Sequence, residues 1–225
     1  MTGTVRVWLI RTSLPQSAVG RCWELLDAGE RARAVGMDDP GDRLRFTVAH
    51  GALRILVGRE TGVPPGELRW AAGPHGKPGL LEPWSWLHTS MSHSGEMVAA
   101  AVSPGRPVGV DIQELVPGLD PVRLAARFFP PAEASYVAGG GPDEASERFA
   151  ALWTRKEAVV KASGGLLWAN LRMLVRNRDV VCLVEPPLLH RVAEFAAPPG
   201  FRAAVALTGD ASFTVTKEDG LWDPR

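Results

Sequence analysis

Charged side chains that could serve phosphate chemistry cluster in the segment WTRKEAVVK, residues 153–161. At about 100° per residue, a helix would place Lys156, Glu157 and Lys161 on one side, together with Trp153 and Val160. A carboxylate between two amines suits a site that binds Mg²⁺ and phosphate oxygens. The alternative is a surface salt bridge between Glu157 and Lys161, which are four residues apart near the end of the helix.

A second carboxylate lies in the segment GVDIQ, residues 109–113, which has the pattern of a strand. Because side chains alternate across a strand, Val110 and Ile112 would face the core. Gly109, Asp111 and Gln113 would then share the opposite face, where the glycine leaves room beside the aspartate. Such an aspartate could hold a hard cation. The alternative is an aspartate that makes a turn hydrogen bond at the end of the strand.

Two further segments offer polar groups for a phosphate. The segment SMSHSG, residues 90–95, contributes Ser92 and His93, and HGKP, residues 75–78, holds Lys77 between a glycine and a proline. The alternatives are a capped loop with one polar histidine and an ordinary turn.

The patterns around these residues predict the elements that must position them. We expect an opening strand over 5–9, a long helix from the cap at 38–40 to 58, and a helix from 143 to the glycines at 164–165. Residues 97–102 and 108–113 are predicted to pair as a hairpin across the turn at 103–107, and 171–175 and 180–184 to form a strand pair.

A weak internal repeat suggests two similar lobes. GEMVAAAV at 95–102 resembles GFRAAVAL at 200–207, and the same offset aligns the helix at 41–60 with the one at 146–165. We therefore predict an N-terminal lobe over 1–112, a C-terminal lobe over 113–225 and a cleft between them that holds the active site. Chance similarity between strands rich in alanine and valine is the alternative.

Composition narrows the class of protein. The 225 residues are 45% hydrophobic and 22% charged, with a net charge of zero, which indicates a soluble folded protein and argues against a general nucleic-acid coat. Two cysteines cannot build a disulfide scaffold or a four-cysteine zinc site. The N-terminus lacks the apolar run of a signal peptide, and no run is long enough to span a bilayer. We expect a cytoplasmic protein with neither nucleic acid nor membrane as a partner.

Taken together, the order of these motifs resembles that of the Sfp-type 4′-phosphopantetheinyl transferases. The pair GVD at 109–111 and WTRKEAVVK at 153–161 is the specific part, and GKP at 76–78, SHSG at 92–95, RFF at 127–129 and the helix around Arg45 add to it. The resemblance runs from about residue 5 to about residue 216. It implies an α/β (α+β) fold of two pseudo-symmetric lobes, each a small antiparallel sheet packed with a long helix, in a monomer.

The resemblance also implies an activity. Such an enzyme transfers 4′-phosphopantetheine from coenzyme A to a serine hydroxyl of an apo acyl or peptidyl carrier protein and releases adenosine 3′,5′-bisphosphate. It would serve polyketide or nonribosomal peptide biosynthesis and require Mg²⁺, with Mn²⁺ as a substitute. Asp111 and Glu157 match the family's metal ligands. Gln113 stands where many members have a glutamate, and it would bind the metal directly or through water.

The remaining matches concern coenzyme A and the carrier. Lys156 and Lys161 match lysines near the pyrophosphate, and Ser92 and His93 match coenzyme A contacts. Basic residues that reach the 3′-phosphate are matched by Arg45 and Lys77. Glu157 is our candidate base for the serine proton. The segment Gly164–Arg172, with Leu166, Leu167 and Trp168, would receive a carrier helix, unless these side chains only pack between the lobes.

Two competing hypotheses remain. One is a non-catalytic relative that binds carrier proteins and has lost activity through Gln113. The other is an unrelated Mg²⁺-dependent nucleotide enzyme, which the absence of a P-loop or a dinucleotide-binding glycine motif disfavours.

Overall fold

Helices and strands alternate irregularly along the chain. The computed structural model describes residues 3–73, 76–183 and 187–218, so Pro74, His75 and Val184 of the predicted motifs lie outside the described residues. The helices are α1 (Gln16–Leu25), α2 (Ala28–Val35), α3 (Pro40–Thr61), α4 (Pro121–Phe128), α5 (Pro131–Ala138), α6 (Pro142–Ser163) and α7 (Leu167–Asn170), with a 3₁₀ turn at Pro65–Glu67. The strands are β1 (Gly3–Arg11), β2 (Trp70–Ala72), β3 (Pro78–Leu80), β4 (Leu87–Ser94), β5 (Met97–Pro104), β6 (Val108–Glu114), β7 (Val180–Leu183), β8 (Leu188–Glu194), β9 (Phe201–Thr208) and β10 (Phe213–Lys217).

The strands form two four-stranded sheets and one short pair. The first sheet has the order β10-β1-β5-β4, and the second has the order β6-β9-β8-β7. Neighbouring strands are antiparallel throughout, except that β10 runs parallel to β1. β2 and β3 pair only with each other. The predicted α/β class with small antiparallel sheets is confirmed.

The predicted hairpin between residues 97–102 and 108–113 is wrong, although both strands exist. β5 pairs with β1 and β4, whereas β6 pairs with β9 in the other sheet. The turn between β5 and β6 carries the chain from one sheet to the next because both strands bury apolar side chains in a core that the two sheets share.

The predicted strand over residues 171–175 is also absent. A turn stands there, in which the Met173 amide donates to the carbonyl of Asn170. The backbone of Val175 is instead held by side chains, since its amide donates to Glu133 and its carbonyl accepts from Arg155.

Each sheet packs against one helix of 22 residues. α3 and α6 both carry a proline in the first turn and end at a glycine with positive φ, Gly62 at +72° and Gly164 at +70°. Only glycine adopts this left-handed cap without strain, which is why both helices stop there. β6 belongs entirely to the second sheet, while β10 returns to the first. The lobe boundary at residues 112 and 113 stays a prediction.

A shared core joins the two sheets. Val5 and Val7 of β1 meet Val110 and Ile112 of β6 and Val205 of β9, all at most 1% exposed. The second sheet is therefore covered by α6 on one face and by the first sheet on the other, and Asp111 faces the helix.

Both cysteines are free thiols, Cys22 buried and Cys182 exposed. Among the residues described, no helix has the length and apolar character needed to cross a membrane.

Candidate active site

Asp111 is the centre of a polar cluster between the two sheets. Its side chain is buried, with 4% of the residue exposed. One carboxylate oxygen, Oδ1, accepts hydrogen bonds from the Ser92 hydroxyl at 2.6 Å and from the Lys161 ammonium at 2.7 Å. The other oxygen, Oδ2, is buried without a hydrogen-bond partner among the described residues. A buried carboxylate oxygen normally has a partner, so this one marks a place for a ligand.

Lys161 and Glu157 approach Asp111 from α6, one turn apart. The Lys161 ammonium also donates to the Ser92 hydroxyl at 2.9 Å, which closes a triangle of hydrogen bonds. Burial first and then the charge of Asp111 raise the pKa of Glu157, Lys161 opposes both, and together they bring the pKa to about 7. A carboxyl group with this pKa changes its protonation state near neutrality, as a general base must.

The close approach of α6 to β6 depends on Gly109. A Cβ at this position would overlap the backbone of Ala158 and Ala162 in the helix. Gly109 and Asp111 share a face of β6, so the space that the glycine leaves is the space that lets Lys161 reach the aspartate. The sequence predicted that the glycine leaves room beside the aspartate, and the structure shows that the backbone of α6 takes up that room.

The serines of β4 join the two sheets at this point. β4 and β6 are edge strands of different sheets. The Ser90 hydroxyl accepts a hydrogen bond from the amide of Val110, and the Ser94 hydroxyl accepts one from the amide of Glu114, each with a nitrogen-to-oxygen distance of 3.0 Å. Ser92 lies between them and uses its hydroxyl on Asp111. Ser90 and Ser94 therefore accept hydrogen bonds from backbone amides at the edge of β6, and Ser92 places its hydroxyl in the cluster.

His93 and Arg45 lie at the edge of the cluster. Burial lowers the pKa of His93, and the positive charges of Arg45 and then Lys161 lower it further. Arg45 stands near the start of α3, where it pairs with Asp42 at 2.6 Å and more loosely with Asp39 at 3.7 Å. Arg45 and Lys161 therefore favour the neutral form of the His93 imidazole. The same two positive charges would attract an anion to this region.

Lys156 is not brought to the cluster, contrary to the sequence-based placement. Its ammonium is fully buried and lies 2.6 Å from Glu133 Oε2, and it also donates to the carbonyl of Met173. Residues five apart on a helix differ by about 140° around its axis, so Lys156 and Lys161 face different neighbours. Glu133 lies in α5, and no pattern in the sequence connected it to Lys156.

The ammonium of Lys77 is likewise bound outside the cluster, by backbone carbonyls. Its ammonium donates to the carbonyls of Val108 at 2.9 Å and Lys161 at 2.6 Å, and more weakly to that of Ala162 at 3.4 Å. Burial lowers the pKa of Lys77 to about 8, while the carbonyl oxygens favour its charged form. The expected reach of this amine to a 3′-phosphate has no support in these contacts.

Gln113 follows Asp111 on the same face of β6. Its amide nitrogen donates to the carbonyl of Glu114 at 3.0 Å. Among the described residues, no group of three or more histidine, cysteine, aspartate or glutamate side chains is arranged to hold a metal ion. A metal at this place would therefore depend on Asp111 and Glu157, with an amide or water oxygen completing its coordination.

A cavity of about 310 Å³ opens beside the cluster. Glu157 and Lys161 line it from α6, and Ser90 and Thr89 line it from β4. Its apolar wall includes Val160, which the helical spacing placed beside Glu157 and Lys161, and Leu53 and Met91, to which the sequence gave no role in the site. The volume is at the lower end of the range for small-molecule sites.

The segment Gly164–Arg172 borders this cavity. Leu166 and Trp168 are 55% and 70% exposed, as the sequence suggested, whereas Leu167 packs partly against the core and lines the cavity. Trp168 contacts the ring of Phe128 in α4, with the ring centroids 5.5 Å apart. An apolar surface therefore lies next to the polar cluster.

Comparison with known proteins agrees with this geometry. A model of the 4′-phosphopantetheinyl transferase superfamily matches residues 107–187. The 4′-phosphopantetheinyl transferase HetI of Nostoc sp. is 34% identical over 166 residues, which cover 73% of this chain and 70% of HetI. The chain belongs to the 4′-phosphopantetheinyl transferase superfamily. The 4′-phosphopantetheinyl transferase Sfp of Bacillus subtilis is 28% identical over 169 residues, 73% of this chain and 74% of Sfp.

Membership in this superfamily confirms the predicted enzyme class, a transferase of phosphopantetheine groups. The superfamily match begins just before Asp111 and includes both Glu157 and Lys161. The cluster and the cavity are therefore the candidate active site of a 4′-phosphopantetheinyl transferase.

Proposed function

We propose that this enzyme transfers 4′-phosphopantetheine from coenzyme A to a serine hydroxyl of an apo carrier protein and releases adenosine 3′,5′-bisphosphate. The observation that carries the proposal is the convergence of Asp111, Glu157 and Lys161 beside a cavity between β4 and α6. In the transfer, the serine oxygen forms a bond to the phosphorus next to pantetheine. The bond from that phosphorus to the bridging oxygen breaks, and the electron pair leaves with adenosine 3′,5′-bisphosphate.

The donor set fits a divalent cation. Asp111 presents an unpartnered buried oxygen, and Glu157 is close enough for the charge of Asp111 to raise its pKa. Two carboxylates completed by water, or by the Gln113 amide oxygen, are typical of Mg²⁺ sites and would also serve Mn²⁺. When bound, the ion would offset the negative charge of the pyrophosphate.

Lys161 supplies the fixed positive charge of the site. Its side chain is 30% exposed and borders the cavity, so the ammonium can donate to a phosphate oxygen there. Charge that builds up on the departing phosphate is best stabilised by a donor already in place. We assign Lys161 to the leaving-group side of the pyrophosphate, and Ser92 and His93 to the binding of coenzyme A. Arg45, close enough to act on His93, would contact the 3′-phosphate end.

Glu157 is the proposed general base. Its pKa of about 7 in the metal-free protein leaves part of it deprotonated at neutral pH, and the carboxylate form can accept the proton as the serine oxygen attacks. Its place in the cavity wall puts it where an incoming hydroxyl would enter.

The carrier protein would dock on the apolar surface around Leu166 and Trp168. These side chains are exposed and flank Leu167, which lines the cavity, as a helix that presents a serine would require. One chain supplies both carboxylates and the lysine, so a monomer has a complete site.

The proposal is tested by incubating the protein with apo carrier proteins from several pathways, coenzyme A and Mg²⁺. We expect one phosphopantetheine to appear on the carrier serine in intact-mass spectra, and chelation of the metal by EDTA to abolish it. Carrier binding without any mass gain, across all carriers, would instead support the non-catalytic relative.

A further inference from the structure

Lys77 joins three backbone carbonyl groups that belong to two different elements. Its ammonium donates to Val108 at the start of β6 and to Lys161 and Ala162 in the last turn of α6. A lysine ammonium has three N–H donors, so these contacts can use all of them. Lys77 itself comes from the segment just before β3, in the half of the chain that precedes both elements.

The acceptors explain why a cation is favoured here. The last four carbonyl groups of a helix have no partner within the helix and form the negative end of its dipole. The carbonyls of Lys161 and Ala162 belong to this group, since α6 ends at Ser163. The Lys77 ammonium therefore supplies a charged donor to the carbonyl of Ala162 and to that of Lys161, which also accepts the Gly164 amide at a long 3.4 Å.

The same ammonium fixes the strand that carries Asp111. Val108 lies three residues before Asp111 in β6, and Lys161 uses its own side chain to bind Asp111. One cation thus binds the backbone on both sides of the contact between Lys161 and Asp111.

We propose that Lys77 is a positioning residue, which ties the C-terminal turn of α6 to the start of β6 and thereby holds Lys161 in register with Asp111. The inference rests on the proposed function of that site. It replaces the expectation that Lys77 binds the 3′-phosphate of coenzyme A, because moving the ammonium to a phosphate would take a charged donor away from three backbone carbonyls.

Lys77 also lies in the wall of the cavity, so its position affects the binding of a substrate there. Lys77 and Pro78 line the same cavity as Glu157 and Lys161. A ligand in the cavity therefore contacts both the segment before β3 and α6. The hydrogen bonds of Lys77 to α6 hold these two parts of the cavity wall in a fixed relative position.

The test is Lys77→Met, which keeps an unbranched side chain and removes the ammonium. The amides of Gly164 and Gly165, which close the end of α6 on Lys161 and Val160, report on the tie. We expect their hydrogen exchange, followed by NMR, to accelerate at least about tenfold, as loss of a charge-assisted hydrogen bond implies. We also expect kcat for carrier modification to fall about tenfold while KM for coenzyme A changes by less than about threefold.

The matched control is Lys217→Met, which removes an exposed ammonium from β10 at the opposite edge of the first sheet. It should leave both readouts at wild-type values. If Lys77→Met does not fold, Lys77→Gln, which keeps two N–H donors, is expected to change both readouts in the same direction and by less.

Three results would overturn the inference. A raised KM for coenzyme A with unchanged kcat and unchanged exchange would make Lys77 a phosphate ligand. Faster exchange with wild-type kcat would reduce it to a structural cap. No change in either would remove it from the site. Failure of the wild-type protein to modify any carrier would contradict the proposed function, while the exchange measurement would still decide whether the tie exists.

Discussion

At the scale of single residues, the charges around Asp111 balance only in part. Two carboxylates face one ammonium, and burial together with the charge of Asp111 raises the pKa of Glu157 more than Lys161 lowers it. Helical spacing predicted that Glu157 and Lys161 share one side of α6, and the resemblance to the Sfp-type transferases matched Glu157 and Asp111 to one metal site. The sequence could not show that Lys156 and Lys77 would be bound by Glu133 and by backbone carbonyls, because those partners are 23 residues and more away along the chain.

The raised pKa of Glu157 predicts how stability depends on pH. In the metal-free protein, Glu157 binds its proton more tightly when folded, with a pKa of about 7 against an ordinary value of 4.5. The stability from this group is therefore complete below pH 4.5 and is lost as the pH rises through 7. Relative to Glu157→Gln, the free energy of unfolding of the wild type should fall by roughly 2 kcal/mol across this window, measured by urea titration in EDTA.

Glu144→Gln provides the control for that comparison. Glu144 is an exposed carboxylate in the first turn of the same helix. Its removal should leave the pH dependence of the wild type intact. Parallel curves for wild type and Glu157→Gln would show that the folded environment does not hold the proton on Glu157.

At the scale of elements, the approach of α6 to β6 decides whether a site forms at all. The sequence predicted both elements well, since a proline start, an acidic first turn and two glycines bound α6. It predicted wrongly that β5 and β6 pair. An apolar sequence pattern identifies a strand but not the strand with which it pairs. Here β5 and β6 lie in different sheets because both bury apolar side chains in the core that the sheets share.

Gly109→Ala tests the contact between the two elements. A methyl group there would overlap the backbone of α6, so the helix must move away from Asp111. We expect the free energy of unfolding to fall by about 2 kcal/mol or more in a urea titration. Transfer activity should be lost even under conditions in which the variant stays folded.

The control is Gly79→Ala in β3, where an added Cβ meets nothing within 4 Å. It should change stability by less than about 1 kcal/mol. Equal stability of the two variants would contradict the close packing of α6 on Gly109.

At the scale of the whole molecule, the two halves of the chain are interleaved. β10 from the C-terminal end completes the first sheet, and Arg106 holds the loop before it through the carbonyls of Thr208, Gly209 and Ala211. The repeat in the sequence suggested two lobes with a cleft. The sequence could not predict the return of β10 to the first sheet, because a short strand pattern does not identify the strand with which it pairs.

This arrangement predicts one cooperative unfolding transition. The core between the sheets takes residues from β1 and β5 as well as from β6 and β9, so neither sheet keeps its buried surface alone. Urea curves from far-UV circular dichroism and from tryptophan fluorescence should have the same midpoint. Two separated midpoints would show lobes that fold independently.

The central claim is that Asp111 and Glu157 act together on the transfer, and it is tested most directly by the initial rate of carrier modification. Asp111→Asn and Glu157→Gln, each confirmed as folded by circular dichroism, should lose about 100-fold or more of the wild-type rate at saturating Mg²⁺ and coenzyme A. Glu144→Gln should retain that rate. If either of the first two variants modifies the carrier within a few-fold of the wild-type rate, the assignment of this cluster as the active site is wrong.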